Sequence, residues 1–307
     1  MNHIHKTQSR NIEKRNTLLQ TSPRPDPLPY KIQSEYPIVL DPNNCEFSHC
    51  LEEDGDILAH ANLWPRLLVN QQGKTIAKLG LIGNVATHED HRGRGIMKSL
   101  FQYLESKAIL ANMDALILWS DLSVFYQKLG FQSLSEEFHY SFENSFRTPK
   151  GRHTILKAQD YNEALLKNLL NLRYPTPYTI ERSSREFQRL LSIPSTHLIV
   201  SRSKSDEIDA YCIIGKGYDM NGVIHEWGFQ KSSDTLIEMI KYALKTFEYN
   251  EILLLCPGNI STELARELKL SAKSFNSQSM CHAKILSADE GIKKALNQSF
   301  IWGLDSI

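Results

Sequence analysis

The chain has 307 residues, 41% of them hydrophobic, enough for two domains of ordinary size with real cores. Lys plus Arg and Asp plus Glu number 35 each, so the molecule as a whole sets up no field that draws a polyanion, and no nucleic acid partner is expected. No apolar run approaches the length of a bilayer, and MNHIHKTQSRNIEKRN lacks the apolar stretch of a secretory signal, so no membrane partner is expected either.

The first segment, residues 1–34, reads as an N-terminal arm and a linker. Lys6, Arg10, Lys14 and Arg15 suit an exposed arm or one polar helix, loosely docked. TSPRPDPLP then stiffens the chain, because each proline fixes its own backbone and restricts its predecessor. A first domain, 35–148, follows. EFSHCLEE and DILAHANLW are strands joined at an Asp54-Gly55 turn, and KLGLIGNVAT is a third strand. Ile96, Leu100, Phe101, Leu104 and Ala108 recur at helical spacing, so one face of that helix packs on a sheet. ALILWS is a short apolar strand, SVFYQKLG a brief helix ended by Gly130, and EFHYSFEN a strand that closes the unit.

The second domain, 149–307, repeats that order of three strands, helix, strand, helix and strand. Its elements run from RHTILKA to TLIEMIKYALKTF, EILLLCP, STELARELK and a closing SMCHAKIL. The pattern predicts an α/β fold (α+β, a mixed central sheet flanked by helices) present in two tandem copies. The five cysteines are odd in number and form no CxxC pair, which argues against a disulfide framework and for a reducing cytoplasm. The absence of a CxxC pair also argues against a zinc site; Cys45, His49 and Cys50, close together in sequence, could ligate a metal, but none is expected.

The stretch VATHEDHRGRGIMKSL, Val85 to Leu100, carries the chemistry. A strand ends, arginines alternate with glycines, and a helix starts at once. The first amides of a helix have no intrahelical partners and sit at the positive end of its dipole. Glycine lets a diphosphate approach them without meeting a β-carbon. Arg92, Arg94 and Lys98 would add positive charge. A nucleoside-triphosphate loop does not fit, because Met97 stands where glycine must precede Lys-Ser. A dinucleotide fingerprint does not fit either, because Lys98 takes the place of its third glycine.

The stretch resembles motif A of the GNAT superfamily of acyl-CoA-dependent N-acyltransferases, Gln/Arg-x-x-Gly-x-Gly/Ala. Here it reads Arg92-Gly93-Arg94-Gly95-Ile96-Met97, with Met97 in place of the usual small residue. The preceding VAT and the later VFYQKLGF match that superfamily's neighbouring elements, so the specific resemblance covers roughly residues 35 to 142. It implies that the backbone of Val85, Ala86 and Thr87 pairs with the pantetheine arm of acetyl-CoA. It implies that the amides of Gly93 to Lys98 hold the pyrophosphate, and that Ser120 lies where strands part to admit the thioester. A backbone N–H near Val85 would stabilise the oxyanion. Tyr126 matches the family tyrosine that reaches the coenzyme sulfur. A phenol of pKa ~10 can protonate a departing thiolate of pKa ~8.5; the alternative is a ring that only packs beneath the cofactor.

No base stands out. His88, Glu89 and His91 flank the pyrophosphate turn and read as surface residues. Glu52, Glu53 and Asp54 crowd a hairpin tip, and Asp121 suits a helix cap. The C-terminus FIWGLDSI, by contrast, is too apolar for a frayed tail. It is expected to dock near the first domain's cleft, where, as in multi-domain aminoglycoside-acetylating members of the superfamily, the terminal carboxylate of Ile307 would serve in the site. The second half has QKSSD where the arginine-glycine turn would stand, and so is not expected to bind acyl-CoA. Its Glu226 is either a cleft residue attracting a cationic amine or an ordinary strand residue, exposed or paired.

The resulting expectation is a cytoplasmic N-acetyltransferase moving acetyl from acetyl-CoA, as co-substrate, to a small-molecule or peptide amine by direct attack in a ternary complex. The alternative is a catalytically silent acyl-CoA-binding regulatory or interaction protein.

Overall fold

The structure is a computed structural model that describes residues 3–22, 29–134, 136–143 and 148–307. The proline-rich stretch read as a linker falls mostly on residues 23–28, outside the described residues. The N-terminal half contains β1 (His3–Lys6), α1 (Ile12–Thr21), α2 (Ile32–Glu35), β2 (Ser48–Glu53), β3 (Asp56–Asn70) and β4 (Thr75–Thr87). It continues with α3 (Ile96–Leu110), β5 (Ala115–Trp119), α4 (Ser123–Gln127), β6 (Gln132–Ser133) and β7 (Glu137–Glu143). The C-terminal half begins with β8 (Arg152–Leu156), α5 (Glu163–Leu172), β9 (Tyr178–Ile180), α6 (Ser184–Leu190), β10 (His197–Arg202), β11 (Ile208–Ile214) and β12 (Val223–Phe229). It ends with α7 (Ser233–Thr246), β13 (Glu251–Pro257), α8 (Thr262–Ser271), β14 (Ser274–Gln278), β15 (Cys281–Ile285) and α9 (Glu290–Asn297).

Two mixed sheets result. One runs β1-β2-β3-β4-β5-β15-β6, with β9 added to β3; the other runs β14-β7-β13-β12-β11-β10-β8. In each, a helix packs its apolar stripe on the strands. The α3 stripe of Ile96, Leu100, Phe101, Leu104 and Ala108 is buried, as its spacing predicts. In the second sheet α7 buries Leu236, Met239, Ile240 and Ala243 and is started by Ser232, whose hydroxyl accepts from the Asp234 N–H.

The N-terminal segment differs from the loosely docked arm read from its charges. β1 pairs with β2 from His3↔Glu52 to Lys6↔His49 and so forms the edge strand of the first sheet. Leu18 and Leu19 on α1 are buried against the sheet, and the Arg15 guanidinium, fully buried, donates to the Leu40 carbonyl at 3.1 Å and to Asn16 Oδ1. Helical spacing was present here, but one buried arginine among exposed charges hides it.

The closing strands also differ. The strand expected to close the N-terminal half, β7, lies in the other sheet between β13 and β14. The strand expected to close the C-terminal half, β15, lies between β5 and β6. β6 and β7 pair with β15 and β14 in a single antiparallel register, from Gln132↔Ala283 and Ser133↔His282 on one side to Glu137↔Gln278 and Ser141↔Ser274 on the other, as one ribbon. The ribbon leaves one sheet and enters the other, so each half completes its partner's sheet.

Candidate active site

β4 and β5 pair in parallel only from Leu79↔Ala115 to Leu81↔Ile117. Beyond Leu81, β4 follows β3 to Thr87, while β5 ends at Trp119 with β15 on its far side. The strands therefore part, leaving the β5-facing edge at Val85, Ala86 and Thr87 without a strand partner among the described residues. A bulge marks the place: Asn84 and Val85 together stand opposite Ala61, and Asn84 adopts φ 49°. Its carbonyl accepts from the buried His60 Nδ1 at 2.8 Å.

The arginine-glycine turn sits at the end of the same strand. Gly93 and Gly95 have φ of 77° and 75°, a left-handed backbone that side-chain-bearing residues rarely adopt, and open space lies where their β-carbons would be. Gly95 is the N-cap of α3, and the first intrahelical bond runs from the Ser99 N–H to the Gly95 carbonyl. The amides of Ile96, Met97 and Lys98 thus belong to the unpaired first turn. Arg92 is used differently from a free phosphate arm: it donates to the Ser22 carbonyl at 2.8 Å and the Thr87 carbonyl at 3.3 Å, tying the turn to the end of α1. Arg94 contacts His91 Nδ1 at 3.3 Å and is exposed, as is Lys98. Lys98 shares a groove with Lys128 and Lys284.

Tyr126, on α4, is buried among Phe101, Phe125 and Phe131. Burial pushes its phenol up to about 12, partly offset by the Ser120 hydroxyl. It therefore keeps its proton through the neutral range. Ser120, at the end of β5, donates its N–H to the Met280 carbonyl at 2.8 Å and accepts from His282 Nε2 at 3.0 Å. The His282 ring stacks on Tyr126 at 6.3 Å. Asp121 does not cap α4; the Leu122 N–H takes the Ser120 hydroxyl instead.

The C-terminal tail divides between the halves: Trp302 packs on Trp227 and Leu304 among Leu198, Val200, Tyr211 and Ile213 of the second half, and its end reaches the first sheet. Trp302 and Leu304 are buried, and the terminal carboxyl of Ile307 lies against Gly83 on β4, where any β-carbon would collide with it. The Lys216 ammonium donates to the Gly303 carbonyl at 2.7 Å and the Ser306 carbonyl at 2.6 Å. Asp305 accepts from Arg182 at 2.9 Å, and Arg182 also forks onto Glu226 at 3.0 and 2.8 Å. Glu226 is thus fully buried and paired, which withdraws it from the cleft; the surrounding guanidinium charge overcomes desolvation and holds its carboxyl low.

Residues 46–133 match the family model described as the acetyltransferase (GNAT) domain. No curated protein matches the chain. Among solved structures, a protein of unknown function from Enterococcus faecalis described as a probable N-acyltransferase is 16% identical, with TM-score 0.69 over 93% of this chain and 72% of that one. A putative acetyltransferase from Pyrococcus horikoshii is 14% identical, with TM-score 0.61 over 100% and 96%. Saccharomyces cerevisiae N-myristoyltransferase, with bound myristoyl-CoA, is 11% identical, with TM-score 0.60 over 92% and 82%. The chain has the GNAT acyltransferase fold in two tandem sheet domains.

In this GNAT fold the motif residues Arg92 to Lys98 and the strand residues Val85 to Thr87 are neighbours at one end of β4, and Ile307 reaches β4 from the far end of the sequence. His88 and Glu89 are exposed and His91 half-buried beside the turn, and Glu52 is taken up by His5 and Asn11. Among the described residues no group of three or more His, Cys, Asp or Glu side chains is arranged to hold a metal. No helix among them is long and apolar enough to cross a membrane. Sequence reading missed His60, Lys216 and His282. Each is a lone polar residue in an apolar strand or loop, and only its partners, brought from remote segments, distinguish it.

Proposed function

We propose that this protein is an N-acetyltransferase that moves acetyl from acetyl-CoA to an amine by direct attack in a ternary complex. The observation that carries the reading is the position of the chain's end. Ser306 and Ile307 line both a small cavity at the β4/β5 parting, with Trp119 and Cys281, and a cleft toward the second half, with Trp64 and Lys216. A carboxylate between a thioester channel and an amine cleft is where a general base belongs.

The first-turn amides of α3 hold the pyrophosphate, and the open edge of β4 takes the pantetheine arm. The amine nitrogen, deprotonated by the Ile307 carboxylate, attacks the thioester carbonyl, and the Val85 N–H stabilises the oxyanion. On collapse the C–S bond breaks and the thiolate takes the Tyr126 proton. With Asp305 taken up by Arg182, the cleft still holds Glu35, Glu186 and the terminus beside Arg66 and Lys216, a balance that suits a cationic acceptor. Five free cysteines support a cytoplasmic setting.

Calorimetry with acetyl-CoA, followed by thiol release across an amine panel, tests the reading. Saturable binding and amine-dependent release are expected; binding with no turnover on any amine would favour the silent acyl-CoA-binding alternative. Tyr126→Phe should lower kcat about a hundredfold at unchanged cofactor affinity. Adding one glycine after Ile307 moves the carboxylate by about 3.5 Å. Full activity in that variant would remove the terminal carboxylate from the mechanism.

A further inference from the structure

Resting on the reading above, we infer that His60 is a positioning residue for the oxyanion donor. It ends a one-way hydrogen-bond relay that starts in the N-terminal segment, fixes the Asn84 carbonyl and thereby aims the Val85 N–H.

The direction of the relay follows from counting protons. Ser48 Oγ, fully buried, accepts from the Thr7 hydroxyl at 3.1 Å and from Arg15 Nη1 at 3.3 Å. Both lone pairs of the hydroxyl are then engaged, so its own proton is left for His60 Nε2, 2.6 Å away. His60 Nε2 is therefore the acceptor nitrogen. The ring's proton sits on Nδ1, which donates to the Asn84 carbonyl at 2.8 Å. Burial holds His60 down to about 3, so the ring is neutral and its two nitrogens keep opposite roles at neutral pH.

Asn84 is the left-handed residue of the β4 bulge, with φ 49°. A peptide unit in this conformation is free to choose its orientation only as far as its neighbours allow, and His60 chooses it. Because the amide is planar and trans, fixing the Asn84 C=O toward His60 sends the Val85 N–H the opposite way. That amide lies beyond Leu81, where β4 and β5 have parted. The Asn84 side-chain Nδ2 is also buried with no partner, a second donor at the same turn. Thr7 and Arg15 lie outside the 46–133 stretch that matches the GNAT domain, so this chain's own N-terminal segment sets the orientation of a backbone group at the candidate oxyanion site.

Isotope-edited infrared spectroscopy of bound [1-13C]acetyl-CoA reads the contact directly, since a hydrogen bond to the thioester oxygen lowers its stretching frequency. The full-length wild type should show the lowered band. His60→Leu should return the band toward the free value and reduce kcat by about tenfold to a hundredfold, with acetyl-CoA affinity within about twofold. His60→Asn, whose amide N–H occupies the region of Nδ1, should restore most of both. Ser48→Ala frees the tautomer and should show a partial loss; it decides the matter if His60→Leu does not fold. A folded His60→Leu with the wild-type band, whether or not kcat falls, overturns the inference. A wild type with no calorimetric affinity for acetyl-CoA overturns the functional reading and the inference together, a failure visible before any variant is made.

Discussion

Gly83 stands where two remote parts of the chain meet, and its role is the absence of a side chain. The terminal carboxyl of Ile307 occupies the volume a β-carbon would take. Gly83→Ala should therefore displace the tail's end from β4 while leaving the strand paired. The expected outcome is at least a tenfold fall in kcat with acetyl-CoA affinity retained; an unchanged kcat would show that the carboxyl's position does not matter. In sequence, Gly83 is one more residue of an apolar strand, because nothing local says that position 307 returns to it. Gly93 and Gly95 are the opposite case. Their pairing with arginines ahead of a helical stripe announced the turn, and both adopt the left-handed backbone that glycine permits. Tyr126 was legible from its motif, but the ring of His282 stacked on it was not.

Among elements, the two-stranded ribbon decides how the molecule holds together. β15 satisfies the edge of β5, and β7 fills the place between β13 and β14. Residues 1–148 expressed alone would expose the β5 edge and leave β7 with no sheet. That fragment is expected to aggregate or to melt without a cooperative transition, as followed by circular dichroism. A sharp thermal transition would show that the half folds without its partner's strand. The existence of both strands was legible from composition and spacing. Their sheet was not, because the edges of β5 and β13 are similarly apolar and the register is set only by two segments some 140 residues apart.

At the scale of the whole molecule, buried neutral histidines link stability to pH. Burial lowers His49 to about 4 and both His60 and His225 to about 3. In the unfolded chain each takes up a proton near pH 6.5, which the folded state refuses. Their contribution is thus complete above pH 6.5 and is lost as pH falls toward 4 for His49 and 3 for the others. Each contributes a slope of about 1.4 kcal/mol per pH unit across its window. The urea midpoint should fall steadily between pH 6.5 and 4.5; a flat profile there would mean that these rings are charged or solvated in the fold. The same three histidines occupy both sheets, so the transition should remain single.

The sequence by itself determined the repeated α/β order, the helix faces, and the arginine-glycine turn at the head of α3. All of these depend on residues within a turn or two of one another, where spacing and backbone chemistry suffice. Only the tertiary structure decided that the closing strands trade sheets, that Glu226 is consumed by Arg182, that the N-terminal segment opens the first sheet, and that Ile307 meets Gly83. Each is a contact between segments far apart in the chain, and no local propensity distinguishes one apolar or charged partner from another until packing brings them together.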